Sequence, residues 1–196
     1  MCDACKYINF PLPVTAITAQ ALIDTLVDKV PDATKELHLL INSPGGSVPV
    51  AMGIAKILEG LSCKLITYNT ARCDSAALVI YAAGIERICI PEGEFLAHTV
   101  NIELSGNYSL DALGLEYRKL RQEYKNVISY LARKTGISKH SWQNYMTEKG
   151  HVFSSKEALR RGLSTKVSEL SLPRHSELLT VEVRTENRPS IKSLPK

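Results

Sequence analysis

Ser75 and His98 are the residues of this 196-residue chain whose types and settings best suit them to chemistry. Ser75 sits in Cys73-Asp74-Ser75-Ala76-Ala77, directly before an all-apolar run. His98 closes Glu94-Phe95-Leu96-Ala97-His98, after a turn at Pro91-Glu92-Gly93. A serine hydroxyl is a weak nucleophile near neutral pH and needs a base within hydrogen-bond reach. Imidazole is the usual base, because its pKa lies near working pH. If Ser75 opens a helix, its hydroxyl lies at the positive end of the helix dipole, and the following amides are free to hold an oxyanion. Ala76 and Ala77 leave room for a substrate carbonyl. A second junction, Asn42-Ser43-Pro44-Gly45-Gly46-Ser47, has two glycines that let the backbone approach a substrate. Taken singly, each feature has an ordinary reading: a serine at a helix start is usually a cap, and a strand-end histidine is usually a surface residue. Asp74 is expected to be the N-cap of the helix that follows. A carboxylate there opposes negative charge developing nearby, so direct help in acylation is not expected of it.

These residues need a frame, and the periodicity supplies one. Strands are predicted at Tyr7 to Phe10, Leu37 to Asn42, Cys63 to Asn69, Arg87 to Pro91 and Glu94 to His98. Between them, Leu22, Ile23, Leu26, Val27 and Val30 mark one helical face within Thr18 to Val30. Val50, Ile54, Ile57, Leu58 and Leu61 mark another, with Pro49 tolerable in its first turn. Ser75 to Ala83 reads as a helix buried on every side. This alternation predicts an α/β fold with a largely parallel sheet, which places ligands beyond the carboxyl ends of its strands.

The second half differs. Leu110, Leu113, Tyr117, Leu120, Tyr124, Val127, Ile128 and Leu131 fall at three-to-four spacing along one long helix, a rod of roughly 30–40 Å that suits packing on its own domain or a subunit contact. A shorter helix is expected near Ser138 to Thr147. Ser154 and Glu157 form an S-x-x-E capping box for a helix ending at Gly162. Leu178 to Arg184 suits an edge strand, and the last dozen residues read as a flexible tail.

Composition narrows the function classes. Hydrophobic residues make up 44% and charged residues 22%, with a formal net charge of +4, ordinary for a globular chain. Basic residues are interspersed with acidic ones, so neither a nucleic-acid stripe nor a polybasic membrane anchor is expected. The longest apolar stretch, Ala76 to Ile85, is too short to cross a bilayer, and Met1 to Lys6 lacks the pattern of a signal peptide. Five cysteines without a regular framework fit a reduced, cytoplasmic setting. Cys2 and Cys5 form an isolated C-x-x-C for which a terminal, non-ligating role is expected. His38, His140, His151 and His175 are scattered, and no metal site is expected.

Four segments in order carry a resemblance. ELHLLINSPGG (Glu36 to Gly46), DSAALVIYAAG (Asp74 to Gly84), FLAH (Phe95 to His98) and SSKEALRRGLSTKV (Ser154 to Val167) resemble the glycine turn, nucleophile helix, histidine strand and closing helix of Clp protease proteolytic subunits. The similarity runs from about Tyr7 to Val167. It implies an α/β ClpP/crotonase-like spiral of βαβ units with a protruding handle helix at about 109–135, within a peptidase domain of residues 1–170. Residues 171–196 would form a partly flexible C-terminal extension. It further implies that Ser75 is the nucleophile and His98 the base, that the amides of Gly46 and Ala76 form the oxyanion hole, and that the chain cleaves peptides or unfolded protein inside a homo-oligomeric ring, possibly of stacked rings. No cofactor is implied; ATP would enter only through a possible AAA+ unfoldase partner.

The sequence departs from that pattern where the family usually carries an aspartate. The matching place is Gly150, in Thr147-Glu148-Lys149-Gly150-His151, so the third triad position has no carboxylate. Glu148, Asn144 and Asn101 are candidate substitutes, and His151 lies near. The N-terminal stretch before the first strand is shorter than the family's axial segment, which bears on unfoldase docking; short relatives such as phage head-maturation proteases share that feature. Two alternatives follow: a catalytically weak or inactive structural ring subunit, and a crotonase-type acyl-CoA enzyme, which shares the two-amide oxyanion hole but needs no Ser–His pair.

Overall fold

Strands and helices alternate along the first half as β1 (Cys5–Phe10), α1 (Ala16–Lys29), β2 (Glu36–Ser43), α2 (Val48–Glu59), β3 (Lys64–Asp74), α3 (Ala77–Ala82), β4 (Glu86–Cys89) and β5 (Glu94–Ala97). There follow α4 (Leu110–Thr135), α5 (Lys139–Tyr145), β6 (His151–Ser154), α6 (Ser155–Arg161), β7 (Lys166–Val167) and β8 (Leu178–Thr180). The computed structural model describes residues 5–173 and 176–183, so Cys2, His175 and the expected tail lie outside the described residues.

One sheet runs in the order β6-β5-β3-β2-β1-β8, with β4 joined to β3 and β7 to β4 off this path. Every pairing is parallel except β5 with β6. β3 holds the arrangement together because it forks. Its first half pairs with β4, from Ile66↔Glu86 to Asn69↔Cys89. Its last residues turn to β5, with Arg72↔Glu94, Cys73↔Phe95 and Asp74↔Leu96. The fully buried Asn69 sits where the ladders part. Its Nδ2 donates to Glu94 O at 2.8 Å, and its Oδ1 accepts from Ala71 N at 3.1 Å. A buried side-chain amide thus makes up for ladder bonds lost at the fork.

Leu37, Leu39 and Ile41 of β2 pack in the core with Leu22 and Leu26 of α1 and Ile54 and Leu58 of α2. Val27, expected on that face of α1, is 77% exposed. At 100° per residue it lies about 140° around the helix from Leu22, outside an apolar stripe little more than 100° wide. All six residues of α3 are buried, in line with the sequence reading. α4 is buried only towards its end, through Val127, Ile128, Tyr130 and Leu131, whereas Leu110 is 86% and Tyr117 63% exposed. Glu59 of α2 fastens its base, accepting from Tyr130 Oη at 3.0 Å and lying 3.2 Å from Lys134 Nζ. α6 begins with half of the expected capping box. Ser154 Oγ accepts from Glu157 N, but the Glu157 carboxylate turns to Arg161 at 2.7 Å and His151 at 3.3 Å.

Candidate active site

β3 runs five residues beyond its expected end at Asn69, and this extension delivers Ser75 beside the Gly45–Gly46 turn. Ser75 does not open a helix. It has φ 55° and is the one non-glycine with positive φ among the described residues, and α3 starts two residues later. A left-handed L-residue costs about 1–2 kcal/mol and suits a sharp strand-to-helix turn that lifts a hydroxyl clear of the backbone. The turn is held by Ser75 N donating to Leu96 O at 2.7 Å and Leu78 N donating to Ser75 O at 3.0 Å.

Gly45 and Gly46 flank this turn. Both have positive φ, at 85° and 146°. A Cβ on Gly45 would come within 2.8 Å of Ser75 Cβ and 2.9 Å of Ala76 N, so only a glycine lets the two backbones approach this closely. Val14 pairs with Gly46 through Val14 N to Gly45 O (2.7 Å) and Ser47 N to Val14 O (2.9 Å). That bridge leaves the Gly46 amide facing away from Val14. Neither the Gly46 nor the Ala76 amide donates to a backbone acceptor among the described residues. Two spare donors therefore stand beside one half-buried hydroxyl.

His98 follows β5, two residues beyond Leu96, whose carbonyl holds the Ser75 amide. Thr99 N donates to Thr147 O at 3.0 Å, and Ala97 pairs with His151 across the antiparallel ladder. This fixes the histidine's backbone next to the Ser75 turn. No direct hydrogen bond joins Ser75 Oγ to the His98 ring in this structure.

The Clp protease family profile matches residues 5–171. The chain belongs to the Clp protease family. It is similar to "ATP-dependent Clp protease proteolytic subunit 1" of Rhodopirellula baltica, 33% identical over 98 residues that cover 48% of this chain and 43% of that protein. It is 27% identical over 132 residues to "ATP-dependent Clp protease proteolytic subunit 4" of Rhodococcus jostii, with 66% of each covered. A third relative, from Bacteroides thetaiotaomicron, is 32% identical over 118 residues, covering 59% of this chain and 53% of its own length. The matched stretch thus spans about half to two-thirds of these relatives. Among solved structures, a ClpP1 mutant from Listeria monocytogenes superposes with a TM-score of 0.68 at 17% identity, covering 84% of this chain and 92% of its own. The fold is that of the Clp proteases.

Two features set this Clp-family site apart. Gly150 lies close beside the histidine: a Cβ there would lie 3.3 Å from His98 Cβ and 3.0 Å from Ala97 O. Its φ of 68° and that tight space suit a glycine. None of the candidate substitutes hydrogen-bonds to His98. Asn144 Nδ2 lies 3.4 Å from His140 Nε2, Asn101 and Glu148 are exposed, and His151 packs in a tilted contact against Tyr145 with ring centroids 4.6 Å apart.

The second feature is Asp74, which corrects the expectation of an N-cap. α3 has no side-chain cap. The Asp74 carboxylate is buried, accepts from Leu96 N at 3.0 Å and meets the Arg72 guanidinium at 2.8 Å. Burial pushes its pKa up, against opposing pulls from Arg72, the Leu96 amide and the His98 ring. Asp74 is therefore a buried acid held between the Arg72 guanidinium and the Leu96 amide. The sequence signal for it was its place beside Ser75, but that place favours the local cap and gives no sign of a partner on another strand.

Proposed function

We propose that this chain is a serine endopeptidase subunit of the Clp type, with Ser75 as nucleophile and His98 as general base. The observation that carries the reading is the left-handed Ser75 backbone between the unspent amides of Gly46 and Ala76. Ser75 Oγ attacks the peptide carbonyl as its proton passes to the His98 ring. The resulting oxyanion sits on the two amides, and the imidazolium returns the proton to the leaving amine. Water then repeats the sequence on the acyl-enzyme. Each oxyanion donor is worth about 2.7–4 kcal/mol in such reactions.

With no carboxylate at Gly150, Asp74 supplies the negative charge that stabilises the imidazolium, acting through space and not through a hydrogen bond. Its charge also opposes the oxyanion, and Arg72 moderates both effects. Hydrolysis by this route needs no metal or organic cofactor. The subunit works in a homo-oligomeric chamber, with the exposed first half of α4 as the contact between stacked rings. It degrades peptides or protein unfolded by a separate ATP-driven partner.

A fluorophosphonate probe tests the reading: it should label Ser75 in the assembled protein, and Ser75→Ala should remove the label. No labelling of assembled protein would overturn it. Gly150 favours one second reading, a structural ring subunit with little activity of its own. That reading expects no peptide hydrolysis by the isolated chain and activity only with a partner subunit carrying a full triad.

A further inference from the structure

At the opposite end of the sheet, the starts of β1 and β2 gather a group of side chains that the proposed peptidase reaction does not use. Cys5 and Glu36 are direct partners in the parallel β1–β2 register, so their side chains leave the same face of the sheet. His38, two residues beyond Glu36, leaves that face as well. The ligand atoms of Cys5, Glu36 and His38 all lie within 4.8 Å of one another, the one such group among the described residues. The expectation that the histidines lie scattered from other ligands thus fails for His38. The sequence separates Cys5 from Glu36 by a helix, and only the strand register brings them together.

The imidazole shows which way the group is built. His38 is 7% exposed, and its Nδ1 lies 2.9 Å from Tyr68 Oη. Tyr7 stacks on its other side, with ring centroids 4.4 Å apart. The ring is therefore held with Nε2 directed at the carboxylate. Nε2 is buried and makes no hydrogen bond, although Glu36 Oε2 stands 3.4 Å away. A buried nitrogen without a hydrogen bond is costly unless something else occupies its lone pair.

Distances indicate what that is. Around a tetrahedral zinc ion, ordinary bond lengths put an imidazole nitrogen and a carboxylate oxygen about 3.4 Å apart, and a thiolate sulfur about 3.6 Å from that oxygen. Here the separations are 3.4 Å for His38 Nε2 to Glu36 Oε2 and 4.0 Å for Cys5 Sγ to Glu36 Oε2. A few tenths of an ångström at a half-exposed strand end close the difference. Lys64 Nζ lies 3.6 Å from Glu36 Oε1 and is ion-paired with Glu86, so it holds the other carboxylate oxygen and leaves Oε2 for the ion. Tyr68 plays the outer-shell part that metal-binding histidines usually require.

We propose that Cys5, Glu36 and His38 form a binding site for a thiophilic divalent cation, zinc foremost, with water completing the coordination. The mix of thiolate, imidazole and carboxylate favours zinc over magnesium or calcium. Binding releases the Cys5 thiol proton to solvent, and the ion clips β1 to β2.

Cobalt(II), added under reducing conditions to chelator-stripped full-length protein, tests this. A single equivalent should give the visible bands of tetrahedral cobalt and a near-ultraviolet thiolate-to-metal band, both removed by added zinc. Cys5→Ser should abolish the thiolate band, Glu36→Gln should weaken binding, and Tyr68→Phe should weaken it by about 10–100-fold. Cys5 and Glu36 stand half-exposed at strand starts, so these variants remain readable even if a His38 variant does not fold. Zinc should raise the melting temperature of the parent protein but not of Cys5→Ser. The proposal is overturned if stripped protein gives no tetrahedral cobalt spectrum, or if the thiolate band persists in Cys5→Ser.

Discussion

A left-handed backbone at Ser75 gives the hydroxyl its exposure, and the buried Asp74 beside it sets the electrostatics. An acid whose folded pKa is raised above its unfolded value of 3.8 contributes its full stability only below that value and loses it as pH rises through the folded pKa. Asp74→Asn keeps an oxygen to accept the Leu96 amide and removes the buried charge. Its stability relative to the parent should therefore climb as pH rises above about 4, as followed by urea unfolding across pH. Its kcat should fall by about 10²-fold, less than the roughly 10⁴-fold seen when a hydrogen-bonded triad aspartate is lost, with KM little changed. Unchanged kcat would remove Asp74 from the mechanism while leaving Ser75 and His98 in it. The sequence disclosed Ser75 and the glycine turn because small residues clustered at a strand end are a local signal. It hid the partner of Asp74, whose acceptor bond joins residues 22 apart in sequence. It also hid the φ of Ser75, which is set by the Leu96 carbonyl on the neighbouring strand.

Among the elements, β3 outruns its sequence outline, whereas α4 keeps its expected bounds and differs only in which half is covered. Thr70 to Asp74 lacks the apolar run that marks a buried strand, yet it stays extended because β5 replaces β4 as its partner. α4 was legible in length, but its periodicity could not say which half is covered. Its uncovered half carries Leu113 and Tyr117, and replacing both by glutamate should leave monomer stability within about 0.5 kcal/mol. On the proposed assembly, the same change should convert stacked rings to single rings on sedimentation analysis. At the other end, burial raises the Glu59 pKa, but hydrogen bonds from Lys56, Tyr130 and Lys134 together bring it below 4.5. A depressed carboxylate stabilises above its unfolded pKa and loses that contribution as pH falls through the folded value. Glu59→Gln should therefore cost about 1–2 kcal/mol at neutral pH, and the difference should shrink to nothing in acid.

Across the whole molecule, the Ser75 turn and the Cys5–Glu36–His38 group occupy opposite ends of the strands. Removing metal with a chelator should lower the melting temperature without changing the rate of fluorophosphonate labelling. The outer flank of β1 is closed by β8, whose Leu178, Leu179 and Thr180 run alongside Tyr7, Ile8 and Asn9 while Val181 tucks into the core. The chain thus uses a late segment as a selvedge, binding off the margin of its own fabric. Cutting the protein after Pro173 would leave that margin raw, with unpaired amides ready to accept a strand from a neighbouring molecule. Such a fragment should scatter light and bind amyloid-sensitive dyes where the full chain stays clear, so the far end of this sequence keeps its beginning from fraying into aggregates.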